Sequence, residues 1–348
     1  MDSNFFPKIE LPQYDDFLEL AESACDVLEK EEESYRPKND GGDSGSLLDF
    51  SSDKTPLILV PDLHARPFFL KNILSYKIKP ELEFLQSSEE LSVFEALEKN
   101  LLRIVCVGDA LHTEKTTHSR WAAAYLDYLN KDYVGNAMKE EMAEGLTLLS
   151  MIMQLKKTFP KNFHFLKGNH ENIMNETCDG DYAFRKYAEE GSMVQKFMSE
   201  YYDSDLLYMI EKWEYFLPLV FVGSNCIVSH AEPAVDFSRD ELINARFYGF
   251  VVESLTWTQN DAAEEGSVQK MIETLLPKKS QKNALYFGGH RPVNTNYKLR
   301  QNGKYVQFHN PTKQNIAFVR PDRKFDFEKD FINVEQPLNN ISEEEDER

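Results

Sequence analysis

The stretch Phe163–Asn172 reads FHFLKGNHEN, an apolar run that climbs to Leu166 and then breaks into glycine, asparagine, histidine and glutamate. A plain turn needs only Gly or Asn. This break instead strings together side chains that bind metals. Four more apolar runs end in a similar way. LILV (57–60) leads to Pro61-Asp62-Leu63-His64, and RIVCV (103–107) leads to Gly108-Asp109-Ala110-Leu111-His112. IVS (227–229) leads to His230, and ALYF (284–287) leads to Gly288-Gly289-His290. In open α/β sheets ligands bind at the carboxyl ends of strands, so five such loops point to one convergent site. Of the eight histidines, His64, His112, His170, His230 and His290 lie in these loops.

Helical spacing is read between and before these runs: over 14–35, 67–78 (with Pro67 where a first turn accepts it), 119–131, 136–158, 181–198, 239–255 and 266–276. YKLRQNGKYVQFH (297–309) alternates on both sides of Asn302-Gly303, a hairpin signal, and NIAFV (315–319) supplies another strand. Strands separated by helices and closed by a hairpin region predict an α/β protein with at least two packed sheets. Three segments are expected. Residues 1–52 form a helical extension with a flexible linker, NDGGDSGS, at 39–46; residues 53–335 form the main domain; residues 336–348 form an acidic, disordered tail.

The 348 residues, 41% hydrophobic and 28% charged, suffice for a well-buried core. A net charge of -20 argues against a nucleic-acid polymer as partner, which demands a basic face, and suits attraction of divalent cations. No apolar run approaches ~20 residues, so no membrane association through a spanning helix is expected. The start, MDSNFFPKIELPQYDD, lacks the basic and apolar regions of a signal peptide. Cys25, Cys106, Cys178 and Cys226 form no CxxC pair, which predicts reduced thiols in a cytoplasmic protein.

Carboxylate, imidazole and amide oxygen suit manganese, iron or zinc, and the absence of cysteine from the loops disfavours a structural zinc site. Several such ligands suit two ions about 3.5–4 Å apart, as in hydrolytic two-metal sites.

In order and spacing, PDLH, GDALH, KGNHE, SHAEP and GGHRP resemble the motifs of the calcineurin-like metallophosphoesterases, most closely the phosphoprotein phosphatase branch. The matches span Asp62 to His290. The resemblance implies an α/β fold of four layers, α/β/β/α, with two mixed sheets. It implies two divalent or trivalent ions (Mn, Fe or Zn), with Asp62 and His64 on the first, Asp109 bridging, and Asn169, His230 and His290 on the second. A water shared by the ions would lose a proton and attack phosphorus in line. His170 would stand over the leaving oxygen as general acid.

The chain departs from the pattern where the branch continues its second motif as Asp-Arg-Gly. Here His112 and Thr113 occupy those places, so the expected carboxylate partner of His170 becomes His112, with Glu114 as the alternative. Phosphate still calls for a guanidinium, and Arg66 and Arg120 are the first candidates, followed by Arg246 and Arg291. Trp257 is read as core, His309 as structural, and His118 and His164 as surface or packing residues. The function expected is a phosphatase acting on phosphomonoesters, with phosphoserine or phosphothreonine in proteins the favoured substrate. The alternatives are a phosphoesterase for small molecules such as dinucleoside polyphosphates, and a non-catalytic metal-binding scaffold. Oligomeric state is not legible in the sequence.

Overall fold

Strand residues alternate between two destinations, and that alternation builds the layers. In LILV, Ile58 and Val60 join a cluster with helices, whereas Leu57 and Leu59 join a cluster between two sheets. A period of two sends neighbouring side chains to opposite faces. The computed structural model describes Phe5 and residues 8–78, 90–114 and 118–335. The acidic tail expected at 336–348 lies outside the described residues.

The first sheet has the order β13-β12-β2-β5-β6. Its strands are β2 (Leu57–Val60), β5 (Arg103–Cys106), β6 (Phe163–Phe165), β12 (Asn315–Val319) and β13 (Phe331–Asn333). β2, β5 and β6 run parallel, and β12 and β13 add antiparallel pairings. The second sheet has the order β1-β7-β8-β9-β11-β10. It contains β1 (Leu47–Asp49), β7 (Val220–Val222), β8 (Cys226–Ser229), β9 (Leu285–Gly288), β10 (Lys298–Arg300) and β11 (Tyr305–Gln307). β8, β9 and β11 are parallel neighbours, and β10 and β11 form the anticipated hairpin. A short antiparallel ribbon joins β3 (Lys77–Ile78) to β4 (Leu91–Ser92).

Between the sheets, Leu59, Val105, Leu166, Val228, Phe287 and Val306 interdigitate. Outside the first sheet pack α1 (Tyr14–Glu29), α2 (Pro67–Ser75), α3 (Val93–Glu98), α4 (His118–Leu129), α5 (Asn136–Thr158), α6 (Glu190–Tyr201) and α7 (Ser204–Phe216). Outside the second pack α8 (Arg239–Ile243), α9 (Gly249–Thr256) and α10 (Ser267–Leu275), with α11 (Lys278–Gln281) following. The result is a four-layer α/β/β/α sandwich of two mixed sheets. No helix among the described residues is long and apolar enough to cross a membrane. All four cysteines are free, and only Cys178 is exposed.

Three helices differ from the sequence expectation, and the first, expected over 14–35, ends at Glu29. The stretch 181–198 becomes helical only at Glu190, because the Glu190 carboxylate turns back to accept the Lys186 and Tyr187 amides and holds 181–189 irregular. The stretch 239–255 divides into α8, a 3-10 turn (Ala245–Phe247) and α9, where Gly249 packs backbone to backbone against Asp179 and Gly180. Neither α7 nor β7 is anticipated from the sequence.

Residues 39–46, linker-like in composition, form a turn in which Asn39 Oδ1 accepts from Gly41 and Asp43 at 3.0 Å. β1 then pairs with β7, and the buried Arg36 binds Glu31 and the Gly45 and Phe216 carbonyls. Lys156 on α5 reaches the same Glu31, which ties the N-terminal segment to the helical layer.

Candidate active site

The five loops quoted from the sequence meet at the carboxyl ends of β2, β5, β6, β8 and β9. Backbone bonds set their spacing: His64 N donates to Asp109 O at 2.7 Å, and Ala65 N to Ala110 O at 2.8 Å. The buried Glu171 carboxylate accepts from Asp109 N, Ala110 N and Gly168 N at 2.9, 2.8 and 2.7 Å. It therefore fastens the second motif to the third. His64, Asp109, His112 and His290 hold positive φ of 42°, 59°, 65° and 60°. Such backbone is costly for residues other than glycine, and surrounding bonds of this kind sustain it. Two glycines leave room for carboxylates. A Cβ on Gly168 would come within 2.2 Å of Asp109 Oδ1, and one on Gly289 within 1.8 Å of Asp62 Oδ1.

Asp109 is the hub of the cluster. His64 Nε2 and His230 Nε2 each lie 3.5 Å from its Oδ2, and His170 Nε2 lies 3.7 Å away. Asn169 Oδ1 sits 2.9 Å from both His230 Nε2 and His290 Nδ1. Asp62 is fully buried, and neither of its oxygens accepts a hydrogen bond of proper geometry.

The histidine protons explain these contacts. His230 Nδ1 faces the Val107 carbonyl at 3.1 Å, and His64 Nδ1 faces the His112 carbonyl at 3.2 Å. A carbonyl only accepts, so each imidazole carries its proton on Nδ1 and turns a bare Nε2 towards the site. Those lone pairs then face the oxygens of Asn169 and Asp109. Lone pair against lone pair in a dry interior is unfavourable unless a cation lies between them. The donor set fits metal ions.

The electrostatics agree. Burial pushes Asp62 up to about 6, and burial with the neighbouring Glu171 and Asp62 carboxylates raises Asp109 well above the usual range. Burial also pushes His64 and His290 down to about 3. Cations entering the cluster would restore the carboxylates to their charged form and would find the imidazoles already neutral, as ligands must be.

No family model matches the sequence, and no curated protein does. Among solved structures, the chain is similar to a protein serine/threonine phosphatase from Saccharomyces cerevisiae at 15% identity and TM-score 0.52, covering 92% of this chain and 89% of that one. The chain shares the fold of that phosphatase. More distant likenesses are a cold-active protein-tyrosine phosphatase of a psychrophilic Shewanella (11% identity, TM-score 0.43, 77% and 76% covered) and a putative diadenosine tetraphosphatase (11%, 0.36, 79% and 92%). At those scores neither informs the fold.

The residues at which the second motif departs from the expected pattern are wired into the cluster. His112 Nδ1 lies 2.7 Å from His170 Nδ1, so His112 and not Glu114 orients His170. Thr113 binds the buried Glu141 through N and Oγ1. Glu114 turns away from His170 to accept from His309 and Lys186. Phe184 lies across His170, with ring centroids 3.8 Å apart.

The arginines sort differently from their sequence ranking. Arg66 donates to the backbone carbonyls of Asp62, Leu63, Asn310 and Lys313. Arg120 is held by Glu141, Glu144 and Thr113. Arg246 donates to the Ser44 carbonyl and lies over Tyr215 and Phe216. Arg291 follows His290 directly, and among the described residues its guanidinium has no hydrogen-bond or ion-pair partner.

His309, read from sequence as structural, stands inside the cluster: its Nδ1 is 3.4 Å from Asp62 Oδ2 and its ring centroid 5.2 Å from that of His64. Its place two residues beyond the strand YVQ, like His290 after LYFG, was the available signal. Trp257, read as core, is half-buried with its ring 6.3 Å from His290.

Proposed function

We propose that this chain is a metal-dependent phosphatase that hydrolyses phosphomonoesters, with phosphoserine and phosphothreonine in proteins as the favoured substrate class. The observation that carries this reading is the convergence of Asp62, His64, Asp109, Asn169, His230 and His290 with bare nitrogen lone pairs turned to oxygens. Asp62 and His64 would hold one ion and Asn169, His230 and His290 the other, with Asp109 placed among both sets. Two ions, of manganese, iron or zinc, would supply Lewis-acid activation of water and neutralisation of phosphoryl charge.

The chain's own groups do the rest. His170 presents Nε2 on the Asp109 side of the cluster, where it delivers a proton to the leaving oxygen. When His170 is protonated, its Nδ1 donates to His112 Nδ1 and its Nε2 carries the proton to be delivered. Arg291, whose guanidinium has no hydrogen-bond or ion-pair partner among the described residues, clamps the phosphoryl oxygens. Phe184 excludes water from the His170 ring. The likeness in fold to a protein serine/threonine phosphatase is consistent with a protein substrate.

One feature favours the second reading, a nucleotide-type substrate. The partner of His170 is a neutral imidazole, pushed down to about 3 by burial, and it cannot offset an imidazolium as a carboxylate does. The protonated form of His170 is therefore less populated near neutral pH, which suits phosphoanhydrides, whose leaving groups need less protonation. The first test is Asp109→Asn, assayed on a chromogenic phosphomonoester with manganese: a loss of at least about 10²-fold in kcat is expected. Undiminished turnover refutes the proposal. Phosphopeptides and dinucleoside polyphosphates assayed in parallel discriminate between the substrate classes.

A further inference from the structure

The altered second motif and the hairpin strand meet at His309. Its side chain is fully buried, and Nε2 lies 3.0 Å from Glu114 Oε2. A carboxylate accepts, so the proton sits on Nε2 and the lone pair on Nδ1. That Nδ1 is 3.4 Å from Asp62 Oδ2 and has no hydrogen-bond partner, and Asp62 itself has none of proper geometry. This is the arrangement seen at His64 and His230, with one nitrogen tied to an acceptor and the other aimed at an acceptor it cannot bond. Ligand atoms of Asp62, His64 and His309 all lie within 4.8 Å of one another.

Resting on the reading that this site holds metal ions, we propose that His309 is a further ligand of the ion held by Asp62 and His64, bound through Nδ1. Glu114 is the carboxylate that fixes its tautomer and ring orientation. The topology explains how His309 arrives. β11 runs parallel beside β9, so the residues following Gln307 emerge next to the His290 loop, where Val293 N donates to His309 O at 2.8 Å. Glu114 is in turn gripped by Lys186, two residues beyond Phe184. The carboxylate that replaces part of the usual second motif thus serves the metal side of the site, while His112 serves the acid side.

The test is calorimetric titration of the metal-depleted full chain with Mn2+, alongside His309→Ala and Glu114→Gln, with circular dichroism and melting curves to establish folding. Visible spectra of the Co2+-loaded proteins report the coordination independently of activity. The wild type is expected to take up two ions. His309→Ala weakens one of them by about 100-fold or more and leaves the other unaffected; Glu114→Gln weakens the same one by about 10–100-fold. Both variants alter the cobalt spectrum. A folded His309→Ala that binds two ions with wild-type affinity overturns the assignment. If that variant fails to fold, Glu114→Gln decides, and an unchanged affinity and spectrum overturns it. A chain with these metal effects but no hydrolysis of any phosphoester supports the assignment and refutes the proposed function, so the two failures are distinguishable.

Discussion

Replacing Glu171 with glutamine would probe the joint that brings the second and third site loops together. The carboxylate is buried and accepts three backbone N–H groups, from Asp109, Ala110 and Gly168, at 2.7–2.9 Å. Glutamine keeps the shape but offers one acceptor oxygen. Its better orientation retains the Asp109 and Gly168 bonds and sets its NH2 against the Ala110 N–H. The orphaned N–H costs about 1–3 kcal/mol, and each of the two surviving bonds falls from charge-assisted to neutral strength, about 1 kcal/mol apiece. The sum is about 3–5 kcal/mol, or roughly 6–10 °C in Tm at about 2 °C per kcal/mol. Burial raises the Glu171 carboxyl, so scanning calorimetry is best run at mildly alkaline pH, where the group is ionised. A chelator removes stabilisation by bound metal. A fall of less than about 2 °C would show that Glu171 does not hold the loops as described.

His112→Asp restores a carboxylate beside His170 and is expected to raise kcat on alkyl phosphates relative to aryl phosphates by roughly 10-fold; an unchanged ratio counts against the acid role of the pair. Arg291→Ala is expected to lower kcat/KM by about 10²-fold without shifting Tm, whereas Arg120→Ala lowers Tm by stripping the partner from buried Glu141; both are read from kinetics and melting curves. Glu31→Gln leaves Arg36 and Lys156 buried and underpaired, a loss of about 3–5 kcal/mol in urea unfolding. Burial alone would raise the Glu31 carboxyl, but Lys156 and Arg36 hold it below its ordinary value. Its stability contribution is therefore full above roughly pH 4.3 and lost as pH falls through the folded value. The variant should show a shallower acid limb.

The cluster was legible in sequence because carboxylate, imidazole and amide side chains stand together at strand ends. Asp62, His64, Asp109, Asn169, His230 and His290 each follow directly on an apolar run, and each enters the cluster. His309 follows a strand too, but its hairpin position looked ordinary when read along the chain. The arginines were the least legible. Nothing local distinguishes Arg66, consumed by four backbone carbonyls, from Arg291, which faces no internal acceptor among the described residues. The irregular stretch 181–189 has helical spacing, yet the Glu190 side chain and the roof over His170 override it.

From the sequence alone came the expectation of two packed sheets and the candidate side chains at their strand ends, since hydrophobic periodicity and side-chain chemistry are properties of short segments. Tertiary structure alone decided which nitrogen of each histidine bears its proton, that Glu114 pairs with His309 and not with His170, and that the N-terminal segment supplies an edge strand. Those outcomes depend on acceptors brought from residues tens to hundreds of positions away. A linear pattern does not encode which of them will stand within about 3 Å of one another.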